Sequence, residues 1–182
     1  FVGTRDELRE QIVWTGSLAT AGTLRVSEWR DGIWESYAAP KSRAEDAFDD
    51  DLAEAPEAFV FEPVKAMVRS HLFAAFGQDH RLRRMDASIA WLTGPEVVRS
   101  NFLKGYRVLT HGPLKAGTEE SLLRQAGRSC MAVKKRGVAV LPEKALRALK
   151  NLEGPPAVLS YTRVRGVKWV IVSEPLAAME PE

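Results

Sequence analysis

Strand and helix patterns alternate regularly from Gly105 onward, and this alternation constrains the fold more than any other feature of the chain. Apolar, β-branched runs predict strands, and apolar residues at helical spacing after a start signal predict helices. The predicted strands are Tyr106–Thr110, Ser129–Val138, Ala157–Arg165 and Val167–Ser173. The predicted helices are Thr118–Ala126, which Thr118 can cap, and Pro142–Lys150. The order β-α-β-α-β-β predicts an α/β (α+β) module, a small mixed sheet with helices packed on it.

The last two strands are expected to form a hairpin that turns at Arg165 and Gly166. In that register Arg163 lies directly across from Lys168, and like charges placed opposite each other destabilise a ladder by up to about 1 kcal/mol. An anion bound between the two cations would remove this cost. The alternative is that both long side chains extend into water and the cost is negligible.

An antiparallel β-hairpin region is predicted before the module. Its expected strands are Gln11–Leu18, Thr23–Trp29 and Ile33–Tyr37, and the Asp31-Gly32 pair is a strong hairpin signal. The spacing of Thr4 and Glu7 is that of a capping box, which makes a helical turn possible there.

Four segments follow from these patterns. An acidic linker is expected at 40–57, because carboxylates stand there among small residues without a periodic apolar face. A helix is expected after Pro63, from Val64 through Ala75 to Gly77. The predicted division is a β-hairpin region at 1–39, the linker at 40–57, a helical connector at 58–104 and the α/β module at 105–175.

Positive charge is concentrated in the second half of the chain. Residues 99–168 contain 15 Lys and Arg against 4 Glu, a net charge of +11, although the whole chain carries only +2. Residues 1–98 contain 11 basic and 17 acidic groups, a net charge of −6. This asymmetry favours a polyanion as partner of the second half, whereas the simpler explanation is a solvated surface.

Cys130–Val138 carries three consecutive cations and a glycine at the end of an alternating strand pattern. In a strand, Lys134 and Arg136 point to one face while Met131, Val133 and Lys135 point to the other. If Met131 and Val133 face the core, Lys134 and Arg136 are displayed together on the accessible side. Phosphate contacts give affinity without reading sequence. The cations predicted to bind nucleic acid are Lys134, Lys135, Arg136, Arg163, Arg165, Lys168, Arg107 and Lys115.

Aromatic residues of the module could stack on bases. Tyr106, Tyr161 and Trp169 are the candidates, although an aromatic residue in such a domain is more often part of the core. The sequence does not distinguish RNA from DNA.

Catalytic and metal-binding patterns are not found in the sequence. It contains no Gly-rich phosphate loop, no G-x-S-x-G, no paired His and Cys, and no acidic-x-Gly-x-Gly turn for a nucleotide-like cofactor. The three histidines share no ligand spacing, and the acidic run Asp49–Asp51 lacks the pattern of a calcium loop. The single cysteine, Cys130, is predicted to be a small buried residue. No apolar run is long enough to span a membrane, and we expect a soluble cytoplasmic protein.

Several motifs are similar to those of a known family. They are Phe61-Glu-Pro63 followed by Arg69, Asp86 with Ile89-Ala-Trp-Leu-Thr93, Val108-Leu109, Val133-Lys-Lys-Arg-Gly-Val138 with Pro142-Glu143, and Leu159 with Thr162-Arg-Val164 and Gly166. Together they resemble the C-terminal THUMP-like region of bacterial class I S-adenosylmethionine-dependent methyltransferase homologues, over residues 59–173. Residues 10–38 resemble the last strands of the methyltransferase domain that precedes this region in that family.

The resemblance implies an RNA-binding module that presents tRNA or rRNA to a methyltransferase domain upstream. S-adenosylmethionine is the cofactor implied for the parent protein, and none is expected in this chain, because it lacks the cofactor-binding strands and the Gly-rich loop of that family. The family's catalytic Asn-Pro-Pro-aromatic motif is also absent. No catalytic residue is carried over, so the chain alone is not expected to be an enzyme. A rival hypothesis is a protein-interaction or structural module whose basic face docks an acidic surface, such as residues 45–57 of this chain or of another copy. A complete small enzyme is the third possibility. The oligomeric state stays open.

Overall fold

The structure of the chain is a computed structural model that describes residues 1–4, 7–45 and 52–176, the side chain of Glu45 excepted. Its strands are β1 (Val2–Thr4), β2 (Glu7–Glu10), β3 (Thr23–Arg30), β4 (Ile33–Pro40), β5 (Phe59–Pro63), β6 (Arg83–Asp86), β7 (Ile89–Gly94), β8 (Leu103–Pro113), β9 (Ser129–Lys135), β10 (Pro156–Val164) and β11 (Val167–Pro175). Its helices are α1 (Ser42–Glu45), α2 (Lys65–Arg69), α3 (Phe73–Asp79), α4 (Thr118–Ala126) and α5 (Pro142–Ala148).

The predicted order of the module is confirmed: β8, α4, β9, α5, β10 and β11 follow one another along the chain. β9 and β10 pair in parallel, whereas β10–β11 and β11–β8 are antiparallel, so the sheet is mixed as expected. Arg163 pairs directly with Lys168. Arg165 and Gly166 both have positive φ, at 48° and 78°, as the tight two-residue hairpin turn requires.

One detail of α4 differs from the prediction. Gly117, at φ 77°, precedes the helix, and Thr118 is its first helical residue rather than its cap. The Thr118 hydroxyl instead accepts the Lys115 N–H at 3.0 Å and donates to the Pro113 carbonyl at 3.3 Å. The hydroxyl therefore fixes the loop before α4.

The module's sheet is extended by three earlier strands into a seven-stranded sheet of order β6-β7-β5-β8-β11-β10-β9. The segment expected as a helical connector thus contributes strands as well as helices. The single helix predicted up to Gly77 is wrong, because it breaks at His71, whose φ is 58°, into α2 and α3. The Ser70 hydroxyl explains the break, since it donates to the Met67 carbonyl and accepts the Leu72 N–H.

The N-terminal residues form a four-stranded sheet of order β2-β1-β3-β4. The predicted hairpin is present as β3 and β4, with Arg30 paired to Ile33 across Asp31-Gly32. Two expectations are wrong. Thr4 and Glu7, which bound the possible helical turn, instead lie in β1 and β2 and pair with each other in an antiparallel ladder, and β1 also pairs in parallel with β3. Strand pairing thus overrides the local capping pattern. Gln11–Leu18 has no strand; it contains a short 3₁₀ turn, and its Val13 side chain is 76% exposed.

The predicted acidic linker can be described only in part. Residues 46–51 lie outside the described residues. Leu52 bridges to Arg84, Ala53 is fully buried, and the Ala53 N–H donates to the Arg84 carbonyl at 2.8 Å. Residues 52–53 are therefore packed against β6. The domain boundaries at 39, 57 and 104 stay predictions.

The core has three buried clusters. One lies between the N-terminal sheet and the α2–α3 segment, around Met67 and Phe76. The second packs α4 and α5 onto one face of the module's sheet, which we call the helix face. The third covers the opposite face with β6 and β7 residues such as Ile89 and Trp91. Both faces of the sheet that carries the basic run are therefore covered.

Candidate nucleic-acid interface

The basic run ends in a tight corner where β9 stops. The Arg136 N–H donates to the Tyr161 carbonyl at 2.8 Å, and Gly137 follows with φ 71°. A Cβ on Gly137 would lie 2.7 Å from Ile89 Cδ1, so only glycine fits without a shift. The Gly137 carbonyl accepts the Arg163 Nε–H at 2.8 Å. The corner thus brings the strand end, the β6–β7 segment and β10 together.

The side chains of β9 do not simply alternate between the two faces of the sheet, because the strand has a bulge. The ladder to β10 shifts between Cys130 and Ala132, leaving Met131 as an extra residue, and its side chain is 52% exposed. The condition that Met131 and Val133 both face the core is therefore not met, because Met131 is largely exposed. Val133, by contrast, packs on the helix-face core.

Lys134 and Arg136 share one carboxylate, that of Glu62 on β5. Lys134 Nζ donates to Glu62 Oε2 at 2.6 Å, and the Arg136 guanidinium lies 3.4 Å from Glu62 Oε1. Lys134 Nζ also lies 4.9 Å from the centre of the Tyr106 ring. Burial alone would lower the pKa of Lys134, but its bonds to Glu62 and Tyr106 outweigh burial and raise the pKa. Lys134 therefore stays charged, but that charge is compensated inside the protein.

The hairpin tip is held by Asp86. Asp86 Oδ2 accepts the Gly166 N–H at 2.6 Å, and Oδ1 accepts the Ser88 N–H and hydroxyl. Burial would raise the pKa of Asp86, but these hydrogen bonds and the charge of Arg163 lower it overall. Asp86 therefore joins the β6–β7 turn to the β10–β11 turn as an anion.

The eight predicted cations fall into two groups, which differ in whether a carboxylate lies within ion-pair distance. Four face a carboxylate: Lys134 and Arg136 share Glu62, Arg165 lies 3.3 Å from Glu54, and Arg107 lies 3.7 Å from Glu174. The other four form no ion pair within 4 Å of a carboxylate among the described residues, although the charge of Arg163 acts on Asp86. They are Lys115, Lys135, Arg163 and Lys168.

Three of these cations, Lys135, Arg163 and Lys168, lie on the helix-face side of the module, and Lys115 lies in the exposed loop before α4. Lys168 is two residues from Val170, so their side chains share one face of the sheet, and Lys168 pairs across the ladder with Arg163. Lys135 shares the same face with Val133 for the same reason. Lys135 Nζ donates to the Val140 carbonyl at 2.9 Å, so it bonds only main chain. Lys115 and Lys168 are exposed. This group, which we call the free cation set, is the part of the surface best able to receive an anion.

The aromatic candidates for base stacking are mostly core residues. Tyr106 is 8% and Tyr161 is 2% exposed, so neither presents a ring face to solvent. Trp169 is half-buried, and its ring centre lies 5.4 Å from that of His111.

Sequence reasoning missed a groove beside the free cation set. The groove, of about 390 Å³, lies between the start of α4 and helix α5. Its floor includes Tyr161, whose hydroxyl donates to Glu119 Oε1 at 3.1 Å. Burial and then the charge of Glu119 raise the pKa of Tyr161, so the hydroxyl stays protonated. The helix-start role of Glu119 was visible in the sequence, but its contact with Tyr161 across 42 residues was not.

Other chemistry can be tested against the described residues. No group of three or more His, Cys, Asp or Glu among them could hold a metal ion. Burial raises the pKa of the Cys130 thiol, which disfavours the reactive thiolate. Within 1–4, 7–45 and 52–176, no helix is long and apolar enough to cross a membrane.

The residues present do not fit S-adenosylmethionine. The parallel crossover β9-α5-β10 is where a nucleotide-like cofactor would meet the end of a strand in such folds. Gly137 follows β9 there, but Ile89 and Arg163 fill the space beside it. We therefore assign no residue of this chain to that cofactor.

Comparison with known proteins connects the module to a family. Residues 103–175 match the family model described as THUMP domain-like. Two curated proteins of Mycobacterium tuberculosis, from strains CDC 1551 and H37Rv, are each named an uncharacterized S-adenosylmethionine-dependent methyltransferase. Each is 28% identical over 167 residues, which cover 90% of this chain and 43% of the relative.

A solved structure has the same fold over almost the whole chain. It is described as a candidate methyltransferase from Porphyromonas gingivalis W83, with a TM-score of 0.74 and 13% identity. The match covers 97% of this chain and 45% of that chain. The chain thus spans less than half the length of the proteins it matches.

Proposed function

Because residues 103–175 form a THUMP-like domain and most of the chain is homologous to proteins named S-adenosylmethionine-dependent methyltransferases, we propose that it is an RNA-binding, substrate-presenting module. The catalytic domain would belong to the rest of a longer protein, an RNA methyltransferase in the cytoplasm that uses S-adenosylmethionine. The module would hold a tRNA or rRNA, and the catalytic domain would transfer the methyl group.

The observation that carries this proposal is the free cation set. Three of its members, Lys135, Arg163 and Lys168, come from three strands and lie toward the helix face, and Lys115 lies in the exposed loop before α4. None of the four forms an ion pair within 4 Å of a carboxylate among the described residues. Arg163 and Lys168 pair directly, a repulsion that a bound phosphate would relieve. Lys134 and Arg136, which the sequence placed first, would contribute less because Glu62 already compensates them.

The test is binding of a labelled pool of tRNA and rRNA to the chain at several salt concentrations. The Lys115→Ala/Lys168→Ala variant should bind more weakly, and its dependence of log K on log salt should be shallower by about 1.4, or about 0.7 for each lost phosphate contact.

A Lys65→Ala/Arg69→Ala variant is the matched control, because it removes two exposed cations from α2, outside the module. An equal loss of RNA affinity in both double variants would show that net charge alone drives binding, and it would contradict the proposed surface.

A second candidate function is docking of an acidic segment onto the basic face. One ion pair on that face favours it, because Glu54 lies 3.3 Å from Arg165. Glu57, from the same segment, lies 2.5 Å from Arg83 on β6, outside the module. The Glu54 side chain is 85% exposed, so that pair contributes less than about 1 kcal/mol and is readily displaced. Docking predicts that Glu54→Gln/Glu57→Gln changes the oligomeric state or raises RNA affinity. If this variant keeps the same molecular mass in solution and the same RNA affinity, the docking function is contradicted.

A further inference from the structure

We propose that the groove between α4 and α5 receives a single nucleobase that carries an exocyclic amino group, while the surrounding lysines hold the phosphates on either side of it. This inference rests on the proposed RNA-binding function and deepens it, because it names what the module would read. The residues that line the groove lie outside the basic run Cys130–Val138.

The size and walls of the groove suit a planar base. Its volume of about 390 Å³ lies within the range of about 300–1,000 Å³ that is usual for small-ligand pockets. Apolar side chains form its walls, including Val140, Leu141 and Leu149. Leu141 is 65% exposed, so it presents apolar surface at the rim that a flat ring could cover.

The polar end of the groove favours a ligand that donates a hydrogen bond. Glu119 Oε1 accepts the Tyr161 hydroxyl, and Tyr161 is the one side-chain partner that Glu119 has among the described residues. Its second oxygen therefore has capacity to accept, and a carboxylate has no hydrogen to donate. The amino group of cytosine or adenine matches this end, as carboxylates accept from the cytosine amino group in DNA readout. Uracil places carbonyl oxygens there instead and would be repelled.

One lysine lines the groove, and two others lie next to lining residues. Lys144 on α5 lines the groove directly. Lys135 Nζ is fixed to the carbonyl of Val140, a wall residue. Lys115 lies two residues before Gly117, which also lines the groove. An acidic groove with cations beside it fits a nucleotide, whose phosphates are anionic while its base can donate; it suits a free cationic ligand poorly.

The experiment measures binding of short fluorescein-labelled oligo(C), oligo(A) and oligo(U) to the chain at low salt. We expect oligo(C) or oligo(A) to bind about ten-fold or more tightly than oligo(U), the discrimination that about 1.4 kcal/mol of base-edge bonding gives. Glu119→Gln should abolish that preference, because an amide can donate to uracil carbonyls as well as accept.

Glu120→Gln is the matched control. Glu120 is the neighbouring residue of α4 and also lines the groove, but it is paired with Arg124 at 2.7 Å. This variant should keep the preference, and melting curves of both variants check folding. Tyr161→Phe keeps the ring and should retain a preference for amino bases, because it frees Glu119 Oε1.

The outcomes separate the two proposals. RNA binding with equal affinity for the three oligonucleotides would overturn the base-reading inference and leave the proposed function standing. A preference that survives in Glu119→Gln would also overturn it. Absence of any RNA binding by the folded chain would overturn both.

Discussion

Glu62 is predicted to compensate the two most prominent cations of the sequence, and replacing it by Gln tests this directly. The side chains of Glu62 and Lys134 are 22% and 31% exposed, so the pair is neither fully buried nor freely solvated. Exposed pairs contribute up to about 1 kcal/mol, and breaking buried ones costs about 3–5 kcal/mol. The intermediate exposure and the second bond to Arg136 suggest a loss of about 1–2 kcal/mol, a fall in Tm of about 2–8 °C for a chain of this size.

The same substitution should strengthen RNA binding. Lys134 and Arg136 would no longer be neutralised by the Glu62 carboxylate, so up to two new phosphate contacts become available. Each contact steepens the salt dependence of log K by about 0.7, so the affinity gain at 0.1 M salt relative to 1 M is about five-fold for one contact and about 25-fold for two.

The assay combines thermal melting with salt titration of RNA binding. Glu96→Gln is the control, because it removes one exposed carboxylate from the loop after β7 and changes net charge equally. If Glu62→Gln changes neither Tm nor affinity beyond the control, or weakens binding, Glu62 does not compensate these cations.

Two further predictions concern the corner where β9 and the hairpin meet. Asp86→Asn should destabilise the chain by about 1–2 kcal/mol above pH 5, because hydrogen bonds to a charged acceptor are the stronger ones. The pKa of Asp86 is lowered, so its contribution is complete above its ordinary pKa of 3.8 and is lost as pH falls through the folded pKa. Denaturant melts of both proteins should therefore converge at acid pH, and a constant difference would refute this. Gly137→Ala should cost at least about 1 kcal/mol, since its φ is 71° and its Cβ would lie 2.7 Å from Ile89; an unchanged midpoint in urea would contradict it.

Local patterns predicted most of the module. The helix-start signals at Thr118, with the acidic residues that follow it, identified Thr118–Ala126 as a helix. Turn chemistry at Arg165-Gly166 set the register that pairs Arg163 with Lys168. These features depend on neighbours in the sequence, so a single sequence contains the information for them.

Contacts between distant segments were not predictable in the same way. Glu62 lies 72 residues from Lys134, and the parallel pairing of Val2–Thr4 with β3 depends on the whole N-terminal sheet. The β-bulge at Met131 changes which side chain faces the core, and simple alternation cannot foresee an inserted residue. Consequently the sequence identified the basic residues, but only the structure distinguishes compensated from uncompensated cations.

The most direct test of the account is the salt dependence of RNA binding by the Lys115→Ala/Lys168→Ala variant compared with the unmodified chain. We predict salt-sensitive binding of tRNA or rRNA by the chain, and weaker binding with a shallower slope in the variant. Absence of binding at low salt by the folded chain, or an identical slope in the two proteins, would contradict the assignment of RNA to this surface.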